Sequence, residues 1–321
     1  MKKVIFALLM LVLSAVASSA ESWPPGLRFM TGPAGGNWAI LGNILAEQWS
    51  AAGLPQTSNI AGGGVSNILN VHARRGDLGF SVTSLLGAAL KGEADFKGRK
   101  VSNAVIMSNL YTQYTYFIMR RDFAEQNNIQ SIEDIIANKP VIRFATLRPG
   151  TSSEFVVKVL FDKAWGLDYK KIFQVQYETY ESGASLLIDN HLDCFAFSVG
   201  KAAPIISTIE DNIDIVLLSV GQEALDKLSE AYGTVTLEIE PGTYKALPEG
   251  AKPVKAVGDY TCIVVRKDLP ESLVYELNKS IWENKSALAE KFPDMNELAK
   301  ATALPERVPA HDGSVKFFGD L

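Results

Sequence analysis

The sequence YTYFIMRRD at 114–122 returns in closely similar form as YTCIVVRKD at 260–268. Both copies read as apolar strands of the same design. The first copy follows one set of alternating strands and helices, and the second copy follows another such set. We therefore predict a chain that leaves one lobe, builds a second lobe and returns along a paired connection. The alternative is a coincidence among patterns that are common in α/β proteins.

A second pair of similar segments is GDLGFS at 76–81 and NHLDCF at 190–195, and in each segment the end of a helix leads into a strand. Elsewhere, short apolar runs alternate with amphipathic segments of helical period, which is typical of an α/β fold with largely parallel strands. The predicted strands are 27–31, 78–82, 104–107, 142–145, 173–177 and 193–197, and the predicted helices include 38–51, 65–75 and 154–164.

The length and composition allow two lobes, since the chain has 321 residues and is 47% hydrophobic. We assign lobe I to residues 21–112 plus 260–321 and lobe II to residues 113–259. The lobes are therefore interleaved along the chain instead of consecutive.

Residues 1–20 are predicted to be a cleavable signal peptide. An apolar run follows Lys2 and Lys3, and the small residues Ser18 and Ala20 precede the expected cleavage site. No later segment is long and apolar enough to span a bilayer. We therefore expect the mature protein to be free in the periplasm.

The net charge disfavours nucleic acid as a partner, and the sequence context of the two cysteines disfavours a disulfide. The formal net charge is −5, and such a surface is a poor partner for nucleic acid. Cys194 and Cys262 each lie in an apolar, strand-like run, and we interpret them as buried free thiols. A disulfide between them is the alternative in an oxidising compartment.

Enzyme signatures are scarce in this sequence. The chain has three histidines, His72, His191 and His311, and their spacing does not match a zinc site. No serine lies in a nucleophile elbow, and neither glycine-rich loop has the pattern of a nucleotide-binding motif. We therefore predict no catalytic activity, no metal and no cofactor.

One arrangement does recur: a strand, a loop of Gly, Ser and Thr, and then a helix start. It occurs at 31–38, 62–67, 83–84 and 149–153, and more weakly at 198–202. Such loops gather at the carboxyl ends of parallel strands, and helix N-termini there attract anions. The pattern predicts a cleft for a small anionic ligand. Ordinary helix capping is the alternative for any single loop.

At these loops the chain resembles the TAXI receptors of tripartite ATP-independent periplasmic (TRAP) transporters, and the similarity covers nearly the whole mature sequence. A closing segment at 308–314 also resembles the end of that family. The matching blocks are TGPAGG at 31–36, GVSNIL at 64–69, GDLGF at 76–80, PGTSS at 149–153, PGTY at 241–244 and LPESLVYEL at 269–277.

The resemblance implies a two-lobed periplasmic-binding-protein type II fold, in which two mostly parallel sheets are flanked by helices and the ligand lies between the lobes. It also implies a monomeric receptor that delivers an organic acid or amino acid, of the glutamate or 2-oxoglutarate type, to a TRAP membrane permease. The candidate ligand contacts are Thr31, Gly35, Gly36, Asn37, Trp38, Gly64, Val65, Asn67, Thr83, Gly150, Thr151, Ser152, Ser153, Ser198 and Lys201.

Some positions depart from the family pattern. Asn37 and Trp38 stand where many relatives have two tyrosines, and Lys201 occupies a position that is often apolar. Trp38 is a candidate wall of the pocket and Lys201 a candidate partner for an acidic ligand; a core tryptophan and a solvated lysine are the alternatives. The departures weaken the case for a glutamate-like ligand. A sensor that hands its liganded form to a membrane partner, and an enzyme built on this fold, are the alternative functions.

Overall fold

The computed structural model describes residues 22–33, 36–201 and 203–321. The predicted signal peptide at 1–20 and the candidate ligand residue Gly35 lie outside these ranges. The strands are β1 (Gly26–Met30), β2 (Gln56–Ile60), β3 (Leu78–Val82), β4 (Ala104–Arg120), β5 (Arg143–Leu147), β6 (Gln174–Glu178), β7 (Cys194–Val199), β8 (Ile215–Leu217), β9 (Val235–Ile239) and β10 (Val254–Arg266).

Helices cover much of the remaining chain, and short 3-10 turns lie at Ala94–Phe96 and Pro293–Glu297. Among the described residues, no helix is both long and apolar enough to cross a membrane. The helices are α1 (Asn37–Ala51), α2 (Gly64–His72), α3 (Thr83–Lys91), α4 (Arg121–Gln126), α5 (Ile132–Asn138), α6 (Ser152–Trp165), α7 (Tyr169–Ile172), α8 (Tyr180–Ile188), α9 (Pro204–Glu210), α10 (Gln222–Tyr232), α11 (Glu271–Glu283), α12 (Lys285–Lys291), α13 (Lys300–Ala303) and α14 (Asp312–Asp320).

The strands form one continuous sheet in the order β2-β1-β3-β10-β4-β7-β5-β6, with β8 beside β4 and β9 beside β10. β1 pairs in parallel with β2 and β3, and β5 pairs in parallel with β6 and β7. The sequence predicted two sheets. In the structure, the long antiparallel strands β4 and β10 join two sets of parallel strands into one sheet. We call β1, β2 and β3 with their helices the first unit, and β5, β6 and β7 with theirs the second unit. The two-lobed α/β fold is otherwise the one expected.

The paired connection between the units is confirmed. β4 and β10 pair from Val257 opposite Thr115 to Arg266 opposite Ala104. The repeated segment of β10 also pairs with β3, and the repeated segment of β4 also pairs with β7. Each copy of the repeat therefore performs the same task in its own unit.

The similar segments at 76–81 and 190–195 each contribute to an ion pair at the same place in their units. In the first unit, Asp77 accepts hydrogen bonds from the backbone N–H and the Nε of Arg28, at 2.8 and 3.0 Å. In the second, Asp193 accepts the same two bonds from Arg143, at 2.7 and 3.1 Å. Both carboxylates are buried. Their hydrogen bonds tie the start of the third strand of each unit, β3 or β7, to the first strand, β1 or β5.

One strand is longer than the sequence indicated. The predicted strand at 104–107 and most of the repeat at 114–122 belong to the single strand β4, and the last two residues of the repeat, Arg121 and Asp122, begin α4. Polar residues such as Asn109, Thr112 and Gln113 interrupt the apolar pattern between them. These side chains are buried or half-buried by other parts of the chain, so their polarity does not mark a loop.

The cores explain the burial of both cysteines. One core surrounds Trp49, Phe80 and Phe155 and continues from the first unit into the second, and a separate core surrounds Phe195. Cys194 and Cys262 are buried and unpaired, as predicted. Burial raises the pKa of both thiols, so they behave as small apolar side chains.

Candidate ligand-binding site

Three helices begin at one cavity between the two units of the sheet. α1 follows β1, α2 follows β2, and α6 follows β5, so each helix starts beyond the carboxyl end of a strand. The first turn of a helix has N–H groups without intrahelical acceptors and carries a partial positive charge. The cavity has a volume of about 30 Å³, which holds about two water molecules, so the two units are close together here.

The start of α1 supplies Gly36, Asn37 and Trp38 to the wall of the cavity. Gly36 is the N-cap residue and no side chain caps this end of the helix. Trp38 is 7% exposed, stacks on Phe80 with ring centres 5.8 Å apart, and donates from Nε1 to Thr261 Oγ1 at 3.3 Å. It therefore belongs to the core and also forms a wall of the site.

The start of α2 supplies Gly63 and Gly64. The N–H of Val65 donates across the gap to the carbonyl oxygen of Gly150 at 3.1 Å, which joins the two units directly. Gly150 has φ of +96°, a backbone conformation that glycine adopts without strain. Val65 and Gly150 are not part of the lining; their bond holds the two units together next to Gly64 and Thr151, which do line the cavity.

Asn67 is close to the cavity, but it is not part of the lining. Its Nδ2 donates to the carbonyl oxygens of Met30, Thr31 and Phe80 at 2.8 to 3.0 Å, and its Oδ1 accepts from the N–H of Gly63 at 3.1 Å. These bonds occupy the hydrogen-bonding groups of the Asn67 side-chain amide. Asn67 therefore fixes the ends of β1 and β3 and the loop that starts α2.

The start of α6 supplies Thr151, Ser152 and Ser153 from the second unit. Thr151 Oγ1 accepts from the N–H of Glu154 at 3.3 Å and caps the helix. Ser153 Oγ accepts from the N–H of Ser198 at 2.9 Å, and Ser198 Oγ lies 2.8 Å from Thr115 Oγ1. The loop hydroxyls are thus held in fixed positions around the cavity.

The fourth predicted helix start, at α3, is already occupied. Thr83 Oγ1 donates to Asn109 at 2.6 Å and does not line the cavity. The carboxylate of Asp259 accepts from the Ser84 hydroxyl and, at 3.3 Å, from the Ser84 N–H. Burial raises the pKa of Asp259 to about 6, although these hydrogen bonds act in the opposite direction. An internal carboxylate therefore occupies the position that the sequence assigned to a ligand.

Thr31 and Lys201 are also outside the lining. Both the N–H and the hydroxyl of Thr31 donate to the carbonyl oxygen of Ile60, at 2.8 and 3.3 Å. The carbonyl oxygen of Lys201 accepts from the hydroxyls of Tyr116 and Tyr244, at 2.6 and 3.0 Å. The structure thus assigns backbone interactions, not a side-chain contact with the cavity, to these two positions.

Sequence reasoning missed several residues of the wall. Gln113 comes from the middle of β4, and Tyr180 from the start of α8 donates its hydroxyl to the carbonyl oxygen of Ser198 at 3.1 Å. Leu147 and Val199 add apolar surface at the ends of β5 and β7. Val199 lies in the weakly predicted loop at 198–202, but Gln113, Tyr180 and Leu147 belong to no Gly, Ser and Thr loop, so no local signal identified those three.

The electrostatics of the site come from the backbone. Among the described residues, those that line the cavity include no Asp, Glu, Lys, Arg or His. Nor do the described residues contain a group of three or more side chains suited to hold a metal ion. Three helix N-termini, each worth about 0.3–1 kcal/mol to a nearby anion, therefore dominate the local field.

Comparison with known proteins identifies the family of the chain. The model of the NMT1-like family matches residues 29–320. A comparison with curated proteins gives no match.

Solved structures share the fold at low sequence identity. MatC from Rhodopseudomonas palustris with bound malate is 14% identical, with a TM-score of 0.53 over 87% of this chain and 89% of that one. An R. palustris protein with adipate is 12% identical, with a TM-score of 0.54 over 92% and 93%. The periplasmic binding protein BugD is 14% identical, with a TM-score of 0.52 over 90% and 92%. The chain is thus similar in fold to periplasmic binding proteins along most of its length.

Proposed function

The chain belongs to the NMT1-like family, and we propose that it is a periplasmic receptor that binds a small carboxylate between its two lobes. The observation that carries this proposal is the meeting of the N-termini of α1, α2 and α6 at one uncharged cavity. A carboxylate accepts several hydrogen bonds at once, so it fits a site built of N–H groups and hydroxyls. The malate and adipate bound to two structures of the same fold are consistent with this ligand class.

Binding couples to closure of the lobes in this proposal. We take lobe I as residues 21–112 plus 260–321 and lobe II as residues 113–259. Both boundaries fall at one point of the sheet, since Gln113 and Asp259 are opposite each other in the β4–β10 pair. A bend of these two strands separates Gly150 from Val65 and opens the cavity to a ligand. A ligand that contacts both lobes stabilises the closed arrangement.

The biological role that we propose is transport. The resemblance to TAXI receptors supports delivery of the ligand to a TRAP membrane permease by a monomeric receptor that is exported by its signal peptide. The lining consists of helix N-termini, hydroxyls, the side-chain amides of Asn37 and Gln113, and apolar side chains. These groups suit binding and provide no general acid or base for catalysis.

A thermal-shift screen of the mature protein against organic acids, amino acids and sulfonates tests the proposal, because a ligand that binds only the folded state raises the melting temperature. The matched control for each active acid is its neutral amide, such as succinamide for succinate. We expect at least one acid to raise the melting temperature and its amide to have no effect. If amides stabilise the protein as well as acids do, or if no acid stabilises it, the proposed function is wrong.

A further inference from the structure

Gln113 is the buried polar residue of the cavity wall that has an unsatisfied atom. Its side chain lines the cavity and is 6% exposed. Its Oε1 is buried and has no hydrogen-bond partner among the described residues. Such an atom destabilises the fold unless something else supplies a donor.

Three polar side chains near Gln113 on β4 are satisfied by the protein itself. The N–H and hydroxyl of Thr112 donate to Glu297 Oε2 at 2.7 and 2.5 Å. Thr115 bonds to Ser198, and Asn109 Nδ2 donates to the carbonyl oxygen of Thr302 at 2.9 Å. These three side chains are therefore paired within the protein, whereas Gln113 Oε1 has no partner among the described residues.

The strand opposite does not supply that partner either. Asp259 is opposite Gln113 in the register, but its carboxylate is used by Ser84 and by the N–H of Tyr260, which lies 2.8 Å away. A carboxylate also offers no proton to a carbonyl oxygen when it is ionised. Among the described residues no donor reaches Gln113 Oε1, and Gln113 lines the cavity, so a ligand that enters as the lobes open is the donor that we assign to it.

The chemistry of the cavity separates two tasks. The helix N-termini present N–H donors, which suit a carboxylate, whereas Gln113 Oε1 is an acceptor, which suits an O–H or N–H group. On the basis of the proposed function, we propose that Gln113 is a specificity-determining residue that selects carboxylic acids which also carry a hydroxyl or ammonium group. A plain dicarboxylate leaves the buried oxygen unsatisfied and binds more weakly for that reason.

Isothermal titration calorimetry with two pairs of probes tests this assignment. L-malate and succinate differ by one hydroxyl, and L-glutamate and glutarate differ by one ammonium group, so the pairs separate the two kinds of donor. We expect the wild-type protein to bind the donor-bearing member of at least one pair about tenfold or more tightly than its plain analogue. Equal affinities within both pairs would overturn the role of Gln113.

Gln113→Met retains an unbranched side chain but removes the acceptor, and Gln113→Leu serves as a second apolar variant. We expect both to abolish the preference within the pair by weakening the donor-bearing acid, with little change for the plain acid. Tyr111→Phe is the matched control, because it removes a buried hydroxyl from the same strand at a residue that does not line the cavity.

The outcomes separate the two proposals. A preference that survives in Gln113→Met and Gln113→Leu, or an equal loss for both members of a pair, would contradict the specificity role and leave a carboxylate receptor intact. If the wild-type protein binds none of the four probes while other carboxylates stabilise it, the specificity role is wrong and the receptor proposal stands. If no carboxylate binds at all, both proposals fail.

Discussion

Gly63 offers a direct test of lobe closure, because an added methyl group at this position points at the opposite lobe. A Cβ built on Gly63 lies 3.0 Å from the carbonyl oxygen of Gly150 and 3.6 Å from Thr151 Cα. Gly63 has φ of −167°, an extended backbone that alanine also adopts. Gly63→Ala is therefore compatible with its own loop but requires the two lobes to separate by a few tenths of an ångström.

The closure contact beside it sets the magnitude of the effect. The hydrogen bond from the N–H of Val65 to the oxygen of Gly150, at 3.1 Å, lengthens when the lobes separate. A hydrogen bond of this kind contributes about 0.5–1.5 kcal/mol, so we expect the affinity for a ligand to fall about two- to tenfold. We assign the loss to the closed state, because the opening that we propose separates Gly150 from Val65.

Calorimetric titration of Gly63→Ala with the most stabilising acid of the screen measures this loss, and a crystal structure of the liganded variant measures the distance from the Val65 N–H to the oxygen of Gly150. Gly87→Ala is the matched control, since its Cβ on α3 has no neighbour nearer than 3.8 Å. Melting temperatures without ligand show whether either variant alters the fold itself. If Gly63→Ala binds as tightly and closes as far as the wild type, our account of closure is refuted.

Thr151→Ala removes the cap of α6 and should lower the free energy of unfolding by about 1 kcal/mol, whereas Thr151→Ser should retain it; urea denaturation of both variants measures the difference. For Asp259, burial raises the pKa from 3.8 to about 6, so the folded state favours the neutral acid. The stability that this group contributes at pH 4 and below is then lost as the pH rises to about 6, by at most about 3 kcal/mol. Urea denaturation of the wild type and of Asp259→Asn between pH 3 and pH 7 should show that the variant lacks this decrease, and identical pH profiles would contradict the assignment.

The fold was largely predictable because its signals are local and repeated. The two copies of the strand repeat indicated a paired return, and β4 and β10 do pair over most of their length. The sequence failed where polar residues lie inside a strand. Asn109 and Thr112 are satisfied by Thr302 and Glu297, which are almost two hundred residues away in the chain. A local pattern contains no information about partners at that distance.

The candidate site was predictable in part for the same reason. Gly, Ser and Thr loops before helices are visible in the sequence, and four of the five, all except 83–84, contribute residues to the cavity wall. The sequence could not distinguish Thr83 from Ser153, because the helix start at Thr83 is occupied by Asp259, a residue from a distant strand. The sequence also gave no local signal for Gln113, whose Oε1 has no hydrogen-bond partner among the described residues.

Asp259 shows what a helix N-terminus can do for a buried carboxylate in this protein. At the start of α3 the carboxylate accepts hydrogen bonds from Ser84 and Tyr260, yet its pKa is still raised to about 6. One helix start is therefore not enough to offset the loss of water around a buried charge. A ligand carboxylate enclosed in the cavity encounters the same loss of hydration, but it meets the starts of α1, α2 and α6 together. In the proposed function, the convergence of three helices is what allows a chain of net charge −5, without a basic side chain among the described residues of the cavity wall, to hold an anion.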